Sequence, residues 1–289
     1  MMNLMLDFGV KNMRERPIRP ISTAAGTVIL ILSISLMLAC SHMTQAGMIV
    51  AGSTSVQPYV EILAEEYMVL YPDAEVDIQG GGSSAGITAA QSGTADIGMS
   101  SRALNDEEKS LWYVEIAKDG LAVIVNPGNP IQNLSLEQIR GIYSATITDW
   151  SQVGGVNSRI HIITREEGSG TRSAFEELVM NKSEITPKAI VQDSNGAVRQ
   201  LVADDPNAIG FISLGLVNER VKALHLEDVA ATRENIMNGS YSLSRPFLYI
   251  TNGQPTGSAK QFIDFSLSPE GQKLLSDEGL ITSAEGTEK

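Results

Sequence analysis

Residues Arg165 to Arg172 read REEGSGTR, a run that joins fixed positive charge, hydroxyls and glycines. An alternating apolar segment (Ile160, Ile162, Ile163) precedes it, and Phe175, Leu178 and Val179 follow at helical spacing. A strand should therefore end at about Thr164 and a helix should begin near Ser169 or Gly170. The first backbone N–H groups of a helix have no partners within it. Gly168 and Gly170 let the chain turn tightly and let a ligand come close. Ser169 and Thr171 add hydroxyl donors, and Arg165 and Arg172 add positive charge. This equipment can hold an oxyanion at a helix start. The same residues could equally make an ordinary cap, with Ser169 at the N-cap and the arginines at the surface.

The design recurs. Gly52-Ser53-Thr54-Ser55 follows the apolar run Met48–Ala51; Gly80-Gly81-Gly82-Ser83-Ser84-Ala85-Gly86 follows the alternating run Ala74–Ile78; Ser100-Ser101-Arg102 follows Ile97–Met99. Four small-polar junctions after strands suggest four walls of one anion pocket. Catalytic readings fare worse. Gly168-Ser169-Gly170 is not the Gly-x-Ser-x-Gly nucleophile elbow, and no histidine is placed as a base. His161 alternates with isoleucines in a strand, His225 sits in another, and His42 lies in an expected linker. The glycine-rich strings lack the Gly-Lys-Ser/Thr ending of a nucleotide phosphate loop. No zinc-type cysteine–histidine cluster occurs, so no metal, no cofactor and no enzymatic activity are expected.

The elements that must carry these junctions alternate strand and helix, an α/β pattern. Pro58 suits an early helical position, with Val60, Leu63, Ala64, Tyr67, Met68 and Tyr71 on one face and Pro72 as the stop. A helix is expected from Asn105, and Leu121–Val125 is a continuous apolar strand ended by Asn126-Pro127-Gly128-Asn129-Pro130. A crossover between two domains fits there, and a return crossover fits Tyr241–Pro246. Ser135 and Gln138 have capping-box spacing. Val221–Leu226 reads as one strand, two helices close the chain, and Ala284–Lys289 is a polar tail.

The chain has 289 residues and a net charge of −13. Residues 1–39 carry +2, which leaves −15 for the rest and argues against a nucleic-acid partner. Ile21 to Ala39 is an uncharged apolar run behind a basic segment, the order of a secretory signal, and the single cysteine, Cys40, follows at once. Met37-Leu38-Ala39-Cys40 resembles a lipoprotein signal, with Cys40 lipidated as the new N-terminus. An uncleaved membrane-spanning anchor would use the same run; either way the rest is tethered outside the membrane. Ser41-His42-Met43 resembles the scar an expression vector leaves, with a natural origin equally open, and belongs to a linker over 41–46, after a signal over 1–40.

Taken in order, the motifs AGSTS (from Ala51), GSSAG (from Gly82), ADIGMSSR (from Ala95) and REEGSGTR (from Arg165) resemble the phosphate-binding proteins of bacterial and archaeal phosphate ABC importers. The likeness runs from about Gly47 to Gly279. It implies a type II-like periplasmic-binding-protein fold, two α/β domains joined by two crossovers, here 47–125 with 244–289 and 126–243. It implies that Thr54 donates by its hydroxyl and Ser55 by its backbone N–H, that Ser83, Ser169, Gly170 and Thr171 also donate, and that Arg165 makes the charged contact. Ser101 stands where some members carry an aspartate that accepts the proton of phosphate; Glu166 or Glu167 is an alternative acceptor, and Asp96 a structural group. The implied partners are inorganic phosphate and the permease of an ABC transporter, with a lipid anchor holding a monomer at the extracytoplasmic face of the cell membrane. Sulfate, molybdate or tungstate are the other ions such a pocket could take.

Overall fold

The computed structural model describes residues 47–181 and 183–282. The signal, Cys40, the 41–46 linker and the polar tail lie outside the described residues.

Strand β1 (Met48–Gly52) leads into α1 (Gln57–Leu70), β2 (Val76–Gly80) into α2 (Ser83–Ser92), and β3 (Ile97–Ser100) into Ser101. Pro58 sits in the first turn of α1, and Tyr59, Val60, Leu63, Ala64 and Tyr67 form its buried face. Tyr71 lies past the last turn and is 52% exposed, because Pro72 ends the helix before that residue can join the face. Strand β4 (Trp112–Val125) is much longer than the apolar run Leu121–Val125. Its first half carries Glu115, Lys118 and Asp119, which hide the strand from a hydropathy reading. The expected helix from Asn105 is only a 3-10 turn at Glu108–Ser110.

Next come β5 (Asn133–Leu134), α3 (Leu136–Tyr143), β6 (His161–Arg165) and α4 (Gly170–Phe175), which continues as a π-helical segment over Glu176–Met180. The Ser135–Gln138 capping box forms at α3, with Gln138 N–H donating to Ser135 Oγ at 3.1 Å and Ser135 N–H donating to Gln138 Oε1 at 2.9 Å. Strand β7 (Ile190–Gln192), α5 (Asn195–Asp204) and β8 (Ala208–Ser213) follow. Val221–Leu226 is not one strand but two, β9 (Lys222–Ala223) and β10 (His225–Leu226), each with a different neighbour. Helix α6 (Arg233–Met237), β11 (Ser244–Thr251), α7 (Gly257–Ser266) and α8 (Pro269–Asp277) complete the chain.

One mixed sheet runs in the order β2-β1-β3-β11-β4-β8-β6-β7, with β9 also on β4. Two large hydrophobic cores flank its middle. Val50, Leu63, Ile97, Met99, Ile116, Phe247, Tyr249 and Phe262 build one. Leu121, Val123, Ile142, Trp150, Phe175, Phe211 and Leu243 build the other, where Phe175 and Phe211 stack with centroids 4.1 Å apart. Strands β4 and β11 pass from one core to the other side by side. Ile116 and Ala117 belong to the first core and Leu121 and Val123 to the second, so β4 changes cores at Asp119–Gly120; β11 does so at Ser244–Arg245. Arg245 pairs with Asp119 and Ser244 with Gly120 across the antiparallel ladder. The fold is thus the α/β, two-lobed, two-crossover arrangement.

In the parallel parts of the sheet, the carboxyl ends of β1, β2, β3 and β6 face the seam between the cores, the usual position for ligands in open α/β sheets.

Candidate anion-binding cleft

The four junctions meet. Ser55 Oγ lies 2.8 Å from Thr171 Oγ1 across the seam. Ser83 Oγ lies 3.3 Å from Ser101 Oγ. A Cβ on Gly170 would stand 2.2 Å from Ser83 Oγ and 2.6 Å from Ser101 Oγ, so the first turn of α4 presses against both serines and only glycine fits. Ser84 N–H donates to Gly168 O at 3.0 Å, a backbone link between the lobes. Ser55, Ser83, Ser101, Arg165, Ser169, Gly170 and Thr171 are buried and Thr54 is half-buried. All eight residues singled out from the sequence therefore fall within one small region.

Their roles differ in detail from the expectation. Ser55 N–H is used within its own loop, donating to Ser53 Oγ at 3.2 Å. Ser169 is the N-cap of α4 and accepts Arg172 N–H at 3.3 Å. Arg172 turns away from the cleft, donating to Glu176 at 2.8 Å and to the Arg165 carbonyl at 3.2 Å. Arg102 is likewise spent on Glu108, whose carboxyl it holds below the usual range. Asp96 accepts Ile49 N–H at 2.8 Å, the structural part expected of it, although it is exposed.

Arg165 is fully buried, and its guanidinium is clamped from one side. Nε and Nη2 each donate to Glu166 at 2.9 Å, Nη2 also reaches Asp193 O at 2.9 Å and Thr54 Oγ1 at 3.3 Å, and Nε reaches Gln192 O at 3.2 Å. Nη1 is buried and has no protein partner. A charged donor left unpaired in a dry site costs free energy unless something accepts from it. Glu166, an acceptor considered from the sequence, is committed to this clamp.

Several site residues carry no local sequence signal. Arg245 is 4% exposed and reaches in from the β11 crossover, with Nη2 3.2 Å from Ser55 Oγ and Nη1 3.4 Å from Ser101 Oγ. Its counter-charge is Asp119, 2.9 Å away on the neighbouring crossover. Burial pushes the Asp119 carboxyl up, while Arg245, Ser213 and the Leu214 amide pull it back. Asn195 donates to Ser55 Oγ at 2.9 Å and to Thr54 Oγ1 at 3.4 Å, and accepts Ser213 N–H at 3.2 Å. Ser53 Oγ donates to Ser101 Oγ at 2.9 Å. Ser53 stood inside a noted motif, whereas the burial of Arg245 shows only in the structure.

Removing Asp119 strands a buried guanidinium. An Asp119→Ala variant is expected to lose roughly 3–5 kcal/mol of stability, measured by urea unfolding; a midpoint unchanged from the parent would mean that the pair is not buried in solution.

A family model described as a PBP superfamily domain matches residues 40–270. The chain belongs to the PBP superfamily. Within it, the chain is 32% identical over 238 residues to the phosphate-binding protein PstS of Bacillus subtilis, covering 80% of this chain and 79% of that one. It is 30% identical over 269 residues to PstS of Borreliella burgdorferi, covering 88% and 96%. A phosphate ABC transporter substrate-binding protein from Clostridium perfringens, solved with bound phosphate, shares 43% identity at a TM-score of 0.79 and covers 82% of this chain and 99% of its own. An ABC-type phosphate transport receptor from Vibrio cholerae shares 42% at 0.69, covering 81% and 99%. Among the described residues of this chain no helix is long and apolar enough to cross a membrane.

Proposed function

We propose that the chain captures inorganic phosphate between its two lobes and delivers it to the permease of an ABC importer. The observation that carries this reading is the fully buried Arg165, whose Nη1 has no partner and whose Nη2 donates across the seam to Thr54 Oγ1 at 3.3 Å. Thr54, Ser55, Ser83, Ser101, Ser169, Gly170 and Thr171 supply neutral donors, and Arg245 and Asn195 join them. Many neutral donors in a dry cleft hold a divalent anion with little net counter-charge. Each arginine here already faces a carboxylate, so the pocket stays near electroneutral until the ion enters. The names of the relatives support phosphate over sulfate, molybdate or tungstate.

The lobes are 47–120 with 244–282 and 121–243, which moves the first boundary from the turn at Asn126 back to Gly120, where β4 changes cores. Strands β4 and β11 are the hinge, and closure over the ion gives the permease a shape to recognise. The work is binding and not catalysis: of the described histidines, His161 bonds Asp205 and His225 lies in β10, so neither offers a base at the cleft. Cys40 carries the lipid anchor of a monomer on the extracytoplasmic face, and more than one acyl chain is needed for stable attachment.

Calorimetric titration of the purified protein with inorganic phosphate tests this reading. One saturable site per chain is expected. No heat with phosphate alongside saturable binding of tungstate would overturn it.

A further inference from the structure

Strand β6 is polar at both ends. Arg165 closes its carboxyl end at the cleft, and His161 opens the other end, four residues and roughly 13 Å away. Beside that far end lies a cavity of about 230 Å³. Ile160, Ile162 and Ile190 line it together with Arg159, His161 and Lys188. Ile190, the first residue of β7, is 48% exposed, and an apolar side chain open beside a concavity is what a small-molecule site offers. The cations there are unspent. Elsewhere in this acidic chain Arg102, Arg172 and Arg220 hold carboxylates, and Arg140 and Arg199 hold backbone carbonyls. Among the described residues, the Arg159 and Lys188 side chains have no hydrogen-bond or ion-pair partner. His161 Nδ1 meets Asp205 Oδ2 at 2.6 Å, yet Asp205 does not line the cavity, and neither does any other carboxylate of the described residues.

We propose that this cavity is a second binding site, apart from the cleft, for a small carboxylate that carries an apolar body and no neighbouring ammonium group. Each part of that description follows from the lining. Arg159 brings a planar fork that suits a carboxylate, and Lys188 adds a point charge. The isoleucines favour a hydrocarbon body, because apolar surface gains by leaving water. An ammonium on the ligand would meet cations and find no acid to pair with. The volume holds about eight non-hydrogen atoms at ~30 Å³ each, the share of one water in the liquid. Inorganic phosphate lacks the apolar part and would leave the isoleucines wet. All six residues lie within the lobe over 121–243, so the site does not need the lobes to close and should fill whether or not the cleft holds an ion.

The test is calorimetric titration of the intact protein with 4-methylpentanoate, a branched carboxylate of that size, with and without saturating phosphate. One saturable site in the low millimolar range is expected, with the same affinity in both titrations. Acetate keeps the charge and loses the hydrocarbon, and should bind about tenfold more weakly or worse. Leucine has the same skeleton plus an ammonium, and should also bind about tenfold more weakly or worse. No saturable binding of 4-methylpentanoate, or acetate or leucine bound as tightly, overturns the proposal. So does a site that vanishes in phosphate, because the carboxylate would then have been in the cleft. The double variant Arg159→Gln, Lys188→Gln removes both charges from exposed positions and should fold normally, which circular-dichroism melting checks. It should lose about tenfold or more in affinity for 4-methylpentanoate while its affinity for phosphate stays unchanged. An unchanged affinity for 4-methylpentanoate in this variant would place the ligand elsewhere and overturn the assignment.

Discussion

Arg165→Ala is expected to weaken phosphate binding about a hundredfold or more, which corresponds to ~3 kcal/mol for a buried charged contact. Two effects act in the same direction. The ion loses the one guanidinium nitrogen that has no other partner. Glu166, no longer neutralised at 2.9 Å, then turns its charge against the ion. The second effect can be separated. A double variant with Glu166→Gln should recover part of the affinity, and Arg165→Lys should recover less than wild type because an ammonium cannot hold both Glu166 and the ion. Since the contact is buried, the loss should persist at high salt. An unchanged affinity by calorimetry, in a variant that melts normally, would remove Arg165 from the site.

Gly170→Ala should weaken binding by a similar factor for a different reason. The added methyl would stand 2.2 Å from Ser83 Oγ and 3.0 Å from Ser83 Cβ, so the lobes cannot meet as they do here. A gap of about 1 Å takes donors out of hydrogen-bond range. The helix itself does not object, because alanine is the better helix former by about 1 kcal/mol. The free protein should therefore keep its Tm, while the rise in Tm on adding phosphate shrinks, as linkage requires when affinity falls. A full ligand-induced shift in this variant would mean that closure does not bring α4 onto Ser83.

Much of the cleft was legible because its residues sit where local rules already mark a site. Thr54, Ser83 and Gly170 each follow a strand and open a helix, and the glycines and hydroxyls there have a direct geometric purpose. Ser101 and Arg165 terminate strands in the same way. Arg245, Asn195 and Asp119 were not legible, since each is defined by a partner remote in the chain. Ser55 and Arg245 are 190 positions apart, and only the pairing of β11 with β4 brings them together. The early half of β4 was missed for a related reason. Its charged residues look like a surface helix until Asp119 is seen to neutralise a buried arginine. Val221–Leu226 failed as one strand because the chain changes neighbour after Leu224: Leu224 N–H still donates to Val123 O of β4 at 2.9 Å, while His225 N–H donates to Gln132 O beside β5 at 2.9 Å, a choice made by tertiary packing and not by propensity.

The direct test of the central claim is a crystal structure of the protein soaked with tungstate, whose anomalous scattering marks the ion without ambiguity, or grown with phosphate. One ion should lie between the lobes, within hydrogen-bond distance of Arg165 Nη1 and of hydroxyls from at least three of the four junctions. An ion bound stoichiometrically elsewhere, with Arg165 Nη1 turned to a protein acceptor, would contradict the account.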